Sequence, residues 1–103
     1  MILLKVKALH SFIEKSVGLI GQKNIYPIYF TTRFGIHTFG MKSPIDVLIL
    51  DSNKQVVKMI HSLPASRLFF WPPQYKDVLE LPPGTIKEKG IKISEKVALD
   101  YSH

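Results

Sequence analysis

The run Ile45-Asp46-Val47-Leu48-Ile49-Leu50 is β-branched and apolar apart from one aspartate. Such density suits a strand covered on both sheet faces. Asp51-Ser52-Asn53-Lys54 follows, four short or polar residues whose side chains bond their own backbone in turns. Val56-Val57-Lys58-Met59-Ile60-His61 then returns. The segments 45–50 and 55–61 are therefore predicted to form a β-hairpin at the centre of the fold. Everything else must pack around it.

Upstream, residues 2–8 alternate, with Ile2, Leu4 and Val6 on one side and Leu3, Lys5 and Lys7 on the other, as a half-buried strand requires. Ser11 and Glu14 have the spacing of a capping box, and the short helix that they open should end at Gly18 and Gly21. Pro27, inside the aromatic run 25–30, removes a ladder donor and points to an edge strand or irregular segment. Gly35 and Gly40 bracket Ile36-His37-Thr38-Phe39, a spacing that predicts special backbone rather than a regular central strand. Residues 62–73 read as a loop. Val78-Leu79-Glu80-Leu81 reads as a strand between prolines, and 91–93 and 97–99 as two more short strands. At 103 residues, with no repeat or linker, the chain is expected to be a single domain over 1–103. Its predicted class is α+β: a small, mostly β domain with a curled, partly barrel-like antiparallel or mixed sheet and one or two short helices.

Charge and composition narrow the function classes. Fourteen Lys and Arg against eight Asp and Glu give a formal charge of +6, of which residues 1–45 carry +5. Any anionic partner should meet that half. With no cysteine, thiol nucleophiles and Cys-type zinc sites are excluded. No apolar run reaches membrane-spanning length. Met1-Ile2-Leu3-Leu4 stands before Lys5 and Lys7, the reverse of a signal peptide's order, so a cytoplasmic protein is expected.

The stretch from Phe34 through Gly35-Ile36-His37-Thr38-Phe39-Gly40-Met41-Lys42-Ser43-Pro44 into Ile45–Asp51 resembles the core motif of the DUF192 family, also called UPF0127. Lys15-Ser16-Val17-Gly18-Leu19 is similar to that family's early basic-x-x-Gly-Leu signature. Val78-Leu79-Glu80-Leu81-Pro82-Pro83-Gly84 is similar to its late Val-Leu-Glu-Leu-Pro-x-Gly signature. Lys15 and Lys42 stand where the resemblance leads one to expect arginine, which keeps the charge but loses the planar fork. The resemblance implies a small, mostly β domain with an N-terminal helix. It implies no reaction, since none is established for the family.

The candidate site gathers His37, Thr38, Met41, Lys42 and Asp46, with Glu80 as a further candidate. His37 is the side chain poised near neutral pH, Asp46 is placed to orient it or take a proton, and Lys42 to hold an anion. The structural alternative makes Asp46 an acceptor for backbone N–H groups at a tight bend and His37 a core or rim residue. No nucleophile, triad spacing or paired carboxylates accompany the pair, and no metal-ligand spacing is present. Glu80 lies either on a wet face or paired inside with Arg33, Arg67 or Lys42. Phe69-Phe70-Trp71 forms either a lid or a binding lip. The function expected is thus a small non-enzymatic binding domain with a cleft near Phe34–Met41 for a small anion. The alternatives are acid–base chemistry by His37 and Asp46 on an anionic substrate, or a structural or protein-interaction module. No cofactor is expected, nucleic acid is not favoured, and the oligomeric state is open.

Overall fold

The structure, a computed structural model, describes residues 1–8, 27–33, 35–39, 41 and 43–101. The helix expected from Ser11 to Gly18 lies outside the described residues, as do Phe34, Gly40 and Lys42. In chain order the elements are β1 (Ile2–Lys5), β2 (Lys7–Ala8), β3 (Ile28–Thr31), β4 (Gly35–His37), β5 (Ile45–Leu50), β6 (Val56–Leu63), β7 (Leu68–Phe70), β8 (Asp77–Leu81), α1 (Thr85–Lys89) and β9 (Val97–Asp100). The principal sheet runs β2-β3-β8-β5-β6, and two ribbons, β1-β9 and β4-β7, stand beside it. The described strands form a small, mostly β architecture of mixed and antiparallel sheets with one short helix, and they close no barrel.

The predicted hairpin is present, antiparallel between β5 and β6. It is not central. β6 is an edge strand, and the middle of the sheet is β8, which pairs antiparallel with β3 on one side and β5 on the other. Every residue of β5 and β8 is buried, because both strands have neighbours on either side and cover on either face. The expected strand 2–8 breaks at Val6: β1 pairs with β9, and β2 with β3. Pro27 precedes β3 instead of interrupting it, and its carbonyl accepts from Lys7 N, so β3 is an interior strand rather than an edge. Residues 68–70 are a strand, not a loop. Residues 91–93 are not a strand: α1 lies just before them, closed by Gly90 at φ 63°, and Ile91 N returns to the Ile86 carbonyl.

Strand alternation divides the core into two layers. Ile28, Phe30, Ile45, Val47, Ile49 and Val78 face one way and are covered by Ile36, Phe69 and Trp71 from the β4-β7 side. Leu48, Leu50, Leu79 and Leu81 face the other way, against Leu4, Val6, Ile86 and Val97. These are called the ribbon face and the helix face below. Each fully buried aliphatic side chain contributes roughly 1.5–3 kcal/mol relative to exposure, so the two layers together fix the sheet.

Candidate functional site

The β4-β7 ribbon is antiparallel, with Gly35 opposite Phe70, Ile36 opposite Phe69 and His37 opposite Leu68. Directly opposed residues share a face. Ile36 and Phe69 point into the ribbon-face core, which leaves His37, Leu68 and Phe70 on the outside. Gly35 is required there: a Cβ would lie 2.6 Å from the Phe69 carbonyl oxygen and 2.6 Å from Phe70 Cδ1. Phe69 and Trp71 act as the lid, their ring centroids 5.6 Å apart, and the Trp71 indole N–H donates to the Tyr75 carbonyl at 2.7 Å. Phe70, between them, faces outward. The aromatic segment is thus a lid on alternate residues and an exposed surface on the other.

His37 is exposed at the end of β4. Its ring stacks on Phe39 at 5.1 Å and 23°, and Nδ1 accepts from Phe39 N at 3.3 Å, which requires the proton of the neutral ring on Nε2. Thr38 is buried and bonded throughout. Its hydroxyl donates to the Pro64 carbonyl at 2.7 Å and accepts from Arg67 N at 2.9 Å. Its own amide donates to the Arg67 carbonyl, and its carbonyl accepts from Ser66 N. Thr38 therefore ties the ribbon to the loop after β6. Met41 is half-buried against the ribbon-face core.

Asp46 is fully buried on the helix face, since it alternates with Val47 and shares its side with Leu48. One carboxylate oxygen accepts from Ser62 N at 2.8 Å, the other from Ile86 N at 2.9 Å. Both partners need it. Ser62, at φ 50°, lies opposite Asp46 where the β5-β6 register shifts. Ile86 N is an orphan amide in the first turn of α1, whose cap position is Gly84, a residue with no side chain to supply the bond. Asp46 is thus a long-range cap that locks a bulge and a helix to one strand. The sheet stands between it and the ribbon that carries His37, so the imidazole and this carboxylate are not brought together.

Glu80 differs from all of these. It sits at the centre of β8, opposite Ile28 on β3 and Val47 on β5, and so projects onto the ribbon face. It is 8% exposed, and its carboxylate makes no hydrogen bond or ion pair with any described residue. Loss of hydration pushes this carboxyl from its ordinary 4.5 up to about 7. Arg33, offered as a partner by the sequence, donates to the Pro73 carbonyl, and Arg67 is exposed beside the carbonyls of Ala65 and Ser66.

The patterns missed a further cluster. Tyr29 donates its hydroxyl to Asp77, the Lys54 ammonium lies 3.3 Å from the second Asp77 oxygen and 5.6 Å from the Tyr29 ring centroid, and Tyr101 packs edge-on at 5.9 Å. Burial and the Asp77 carboxylate raise the Tyr29 phenol above its ordinary value. Tyr29 and Lys54 lie 48 and 23 positions from Asp77 in the chain, so no local spacing signals them. Among the described residues, no three His, Asp or Glu side chains converge on a metal position, and no helix is long and apolar enough to cross a membrane.

Two of the three segments that carried the resemblance, residues 34–51 and 78–84, meet through the pairing of β5 with β8 and the bond from Ile86 N to Asp46, while residues 15–19 lie outside the described residues. The DUF192 family model, described as "Uncharacterized ACR", matches residues 2–99. The chain belongs to the DUF192 family. It is 34% identical over 99 residues to a UPF0127 protein of Pyrococcus abyssi, covering 90% of this chain and 84% of that one. Two crystal structures share the DUF192 fold seen here. A Sinorhizobium meliloti protein described as "a putative transcription regulator" superposes with a TM-score of 0.79 at 17% identity, over 88% of this chain and 78% of its own. A protein of unknown function from Novosphingobium aromaticivorans superposes with a TM-score of 0.73 at 16% identity, over 91% and 70%. At such identities the likeness establishes the fold alone.

Proposed function

We propose that this DUF192 protein is a small non-enzymatic binding domain. Its recognition surface is the outer face of the β4-β7 ribbon, and its partner is an acidic polypeptide segment that also carries apolar side chains. One observation carries this reading: Phe39, Leu68 and Phe70 are 49%, 57% and 61% exposed and adjoin the exposed His37 on one face. A large apolar surface left in water on a ribbon whose other side is packed marks an interaction site. The charge around it selects the partner. Residues 27–45 and 52–76, which build and flank the ribbon, contain no Asp or Glu. Of their bases, Arg33, Lys58, Arg67 and Lys76 are exposed, whereas Lys54 is paired with Asp77 on the helix face. The negative charge expected of the ligand is retained, while its contact moves from a polar cleft to an aromatic face. Acid–base chemistry has less support, because both Asp46 oxygens are committed to backbone amides.

The test is amide NMR with a ten-residue peptide of alternating Glu and Phe or Leu, set against a Lys-substituted version, single-stranded DNA and anionic vesicles. Shifts at 35–39 and 67–70 with the acidic peptide alone, weakened by salt and lost in Phe70→Ser with the fold intact, are expected. Equal response to the basic peptide, preference for DNA or vesicles, or no response to the acidic peptide would overturn the proposal.

A further inference from the structure

The two ends of the main sheet differ. β2 is two residues long, whereas β6, at the opposite end, has eight. A strand edge of that length carries a row of backbone N–H and C=O groups able to pair with another extended chain. The fold itself uses the first of them. Val56 N donates to the Glu95 carbonyl, Ser94 N donates to the Val56 carbonyl, and Gln55 and Lys96 form an antiparallel bridge. Where β6 runs on to Val57, that segment turns away: Ser94 stands at φ 72°, and Ile93 before it is 54% exposed. From Val57 to Leu63 no backbone group of the described residues pairs with the outer edge. The register shifts toward either end of the β5-β6 ladder leave Lys58, Met59 and Ile60 as regular strand between them.

We infer that the outer edge of β6 is a second interaction surface, which takes a short extended segment of an acidic polypeptide as an added strand. The main chain supplies the pairing, and the side chains along the edge select the sequence. Lys58 and Ile60 lie opposite Ile49 and Val47 and so project on the ribbon face, while Met59, opposite Leu48, projects on the helix face. Val57, Met59 and Ile60 are half-buried, an apolar flank for branched side chains on the incoming strand. Lys58 is exposed, its ammonium 5.7 Å from the centre of the Phe69 ring, and His61 is exposed just beyond Ile60. Of the acids next to β6, Asp46 is buried in its two amide bonds, Asp51 accepts from the amides of Asn53 and Gln55, and Glu95 pairs with the amino group of Met1. The free charge along this edge is therefore positive. The same charge disfavours a second copy as the occupant, because two β6 strands edge to edge would add base to base with no acid on either to offset it. The surface is separate from the outer face of the ribbon and does not depend on it.

The experiment titrates the full chain with a short peptide of alternating Val and Glu, beside the same peptide methylated on its backbone nitrogens and a version with Lys in place of Glu. The acidic peptide should shift the amides of residues 57–61 and slow hydrogen exchange among them. Methylation keeps every side chain but removes the donors, and should abolish the response. Lys58→Glu changes an exposed side chain and should weaken the acidic peptide roughly fivefold. Phe70→Ser, which disables the ribbon's outer face, should leave the edge response unchanged, so either surface can fail without the other. No shift at 57–61, equal binding of the methylated or the basic peptide, loss of the edge response in Phe70→Ser, or sedimentation showing that a second copy pairs through β6 would overturn the inference.

Discussion

Glu80→Gln removes one titrating group while keeping its shape, and the pH dependence of stability should change by a calculable amount. In the folded protein the carboxyl titrates at about 7, against 4.5 ordinarily, because burial disfavours its charged form. Between those values the folded chain holds a proton that the unfolded chain has released. Stability therefore falls as pH rises through that window, and is constant on either side of it. A separation of roughly 2.5 units at 1.36 kcal/mol each makes the total about 3 kcal/mol. Glutamine has no such step. Urea unfolding of both proteins, followed by the fluorescence of Trp71, which is buried and the sole tryptophan, measures the difference. Relative to the wild type, the variant should gain about 3 kcal/mol between about pH 4 and pH 8. Contributions from all other groups cancel in the comparison. A difference that stays constant across this range, or that changes with the opposite sign, would refute the account of Glu80 as an uncompensated buried acid.

Two further substitutions test the residues that the fold has taken from the candidate site. Asp46→Ala strands the Ser62 and Ile86 amides and should cost on the order of 3–5 kcal/mol in chemical denaturation, with α1 losing its helical NMR shifts first; a loss under about 1 kcal/mol would show that neither bond matters. Thr38→Val keeps the volume but deletes the hydroxyl between Pro64 and Arg67, so a loss of about 1–3 kcal/mol and faster hydrogen exchange at the Arg67 amide are expected, and unchanged exchange there would contradict the anchoring role.

Strands with their own strong pattern were legible from the chain. Residues 45–50 are apolar enough to demand cover on both faces, and the structure buries them; residues 78–81 read as a strand and form one, buried throughout. The helix α1 was not. It is a single turn or so in a lysine-rich stretch with one buried residue, Ile86, and its N-terminal acceptor comes from Asp46, forty positions away. The strand at 68–70 was hidden for a related reason: its partner, β4, is three residues long, and neither forms a ladder alone. The candidate site was legible as a list of residues but not as a constellation. His37, Thr38 and Asp46 are close in the chain, yet alternation and the sheet send them to solvent, to a loop anchor and to the opposite layer.

Local chemistry thus determined the strongly patterned strands, which residues carry charge, and that the family motifs belong to a small β domain. Those properties depend on neighbours one to four residues apart. Strand order, by contrast, depends on which apolar faces fill each other's volume across the whole molecule. That packing made β8 the central strand, turned Asp46 into a cap, exposed Phe70 between two buried aromatics, and left Glu80 recessed without a partner among the described residues.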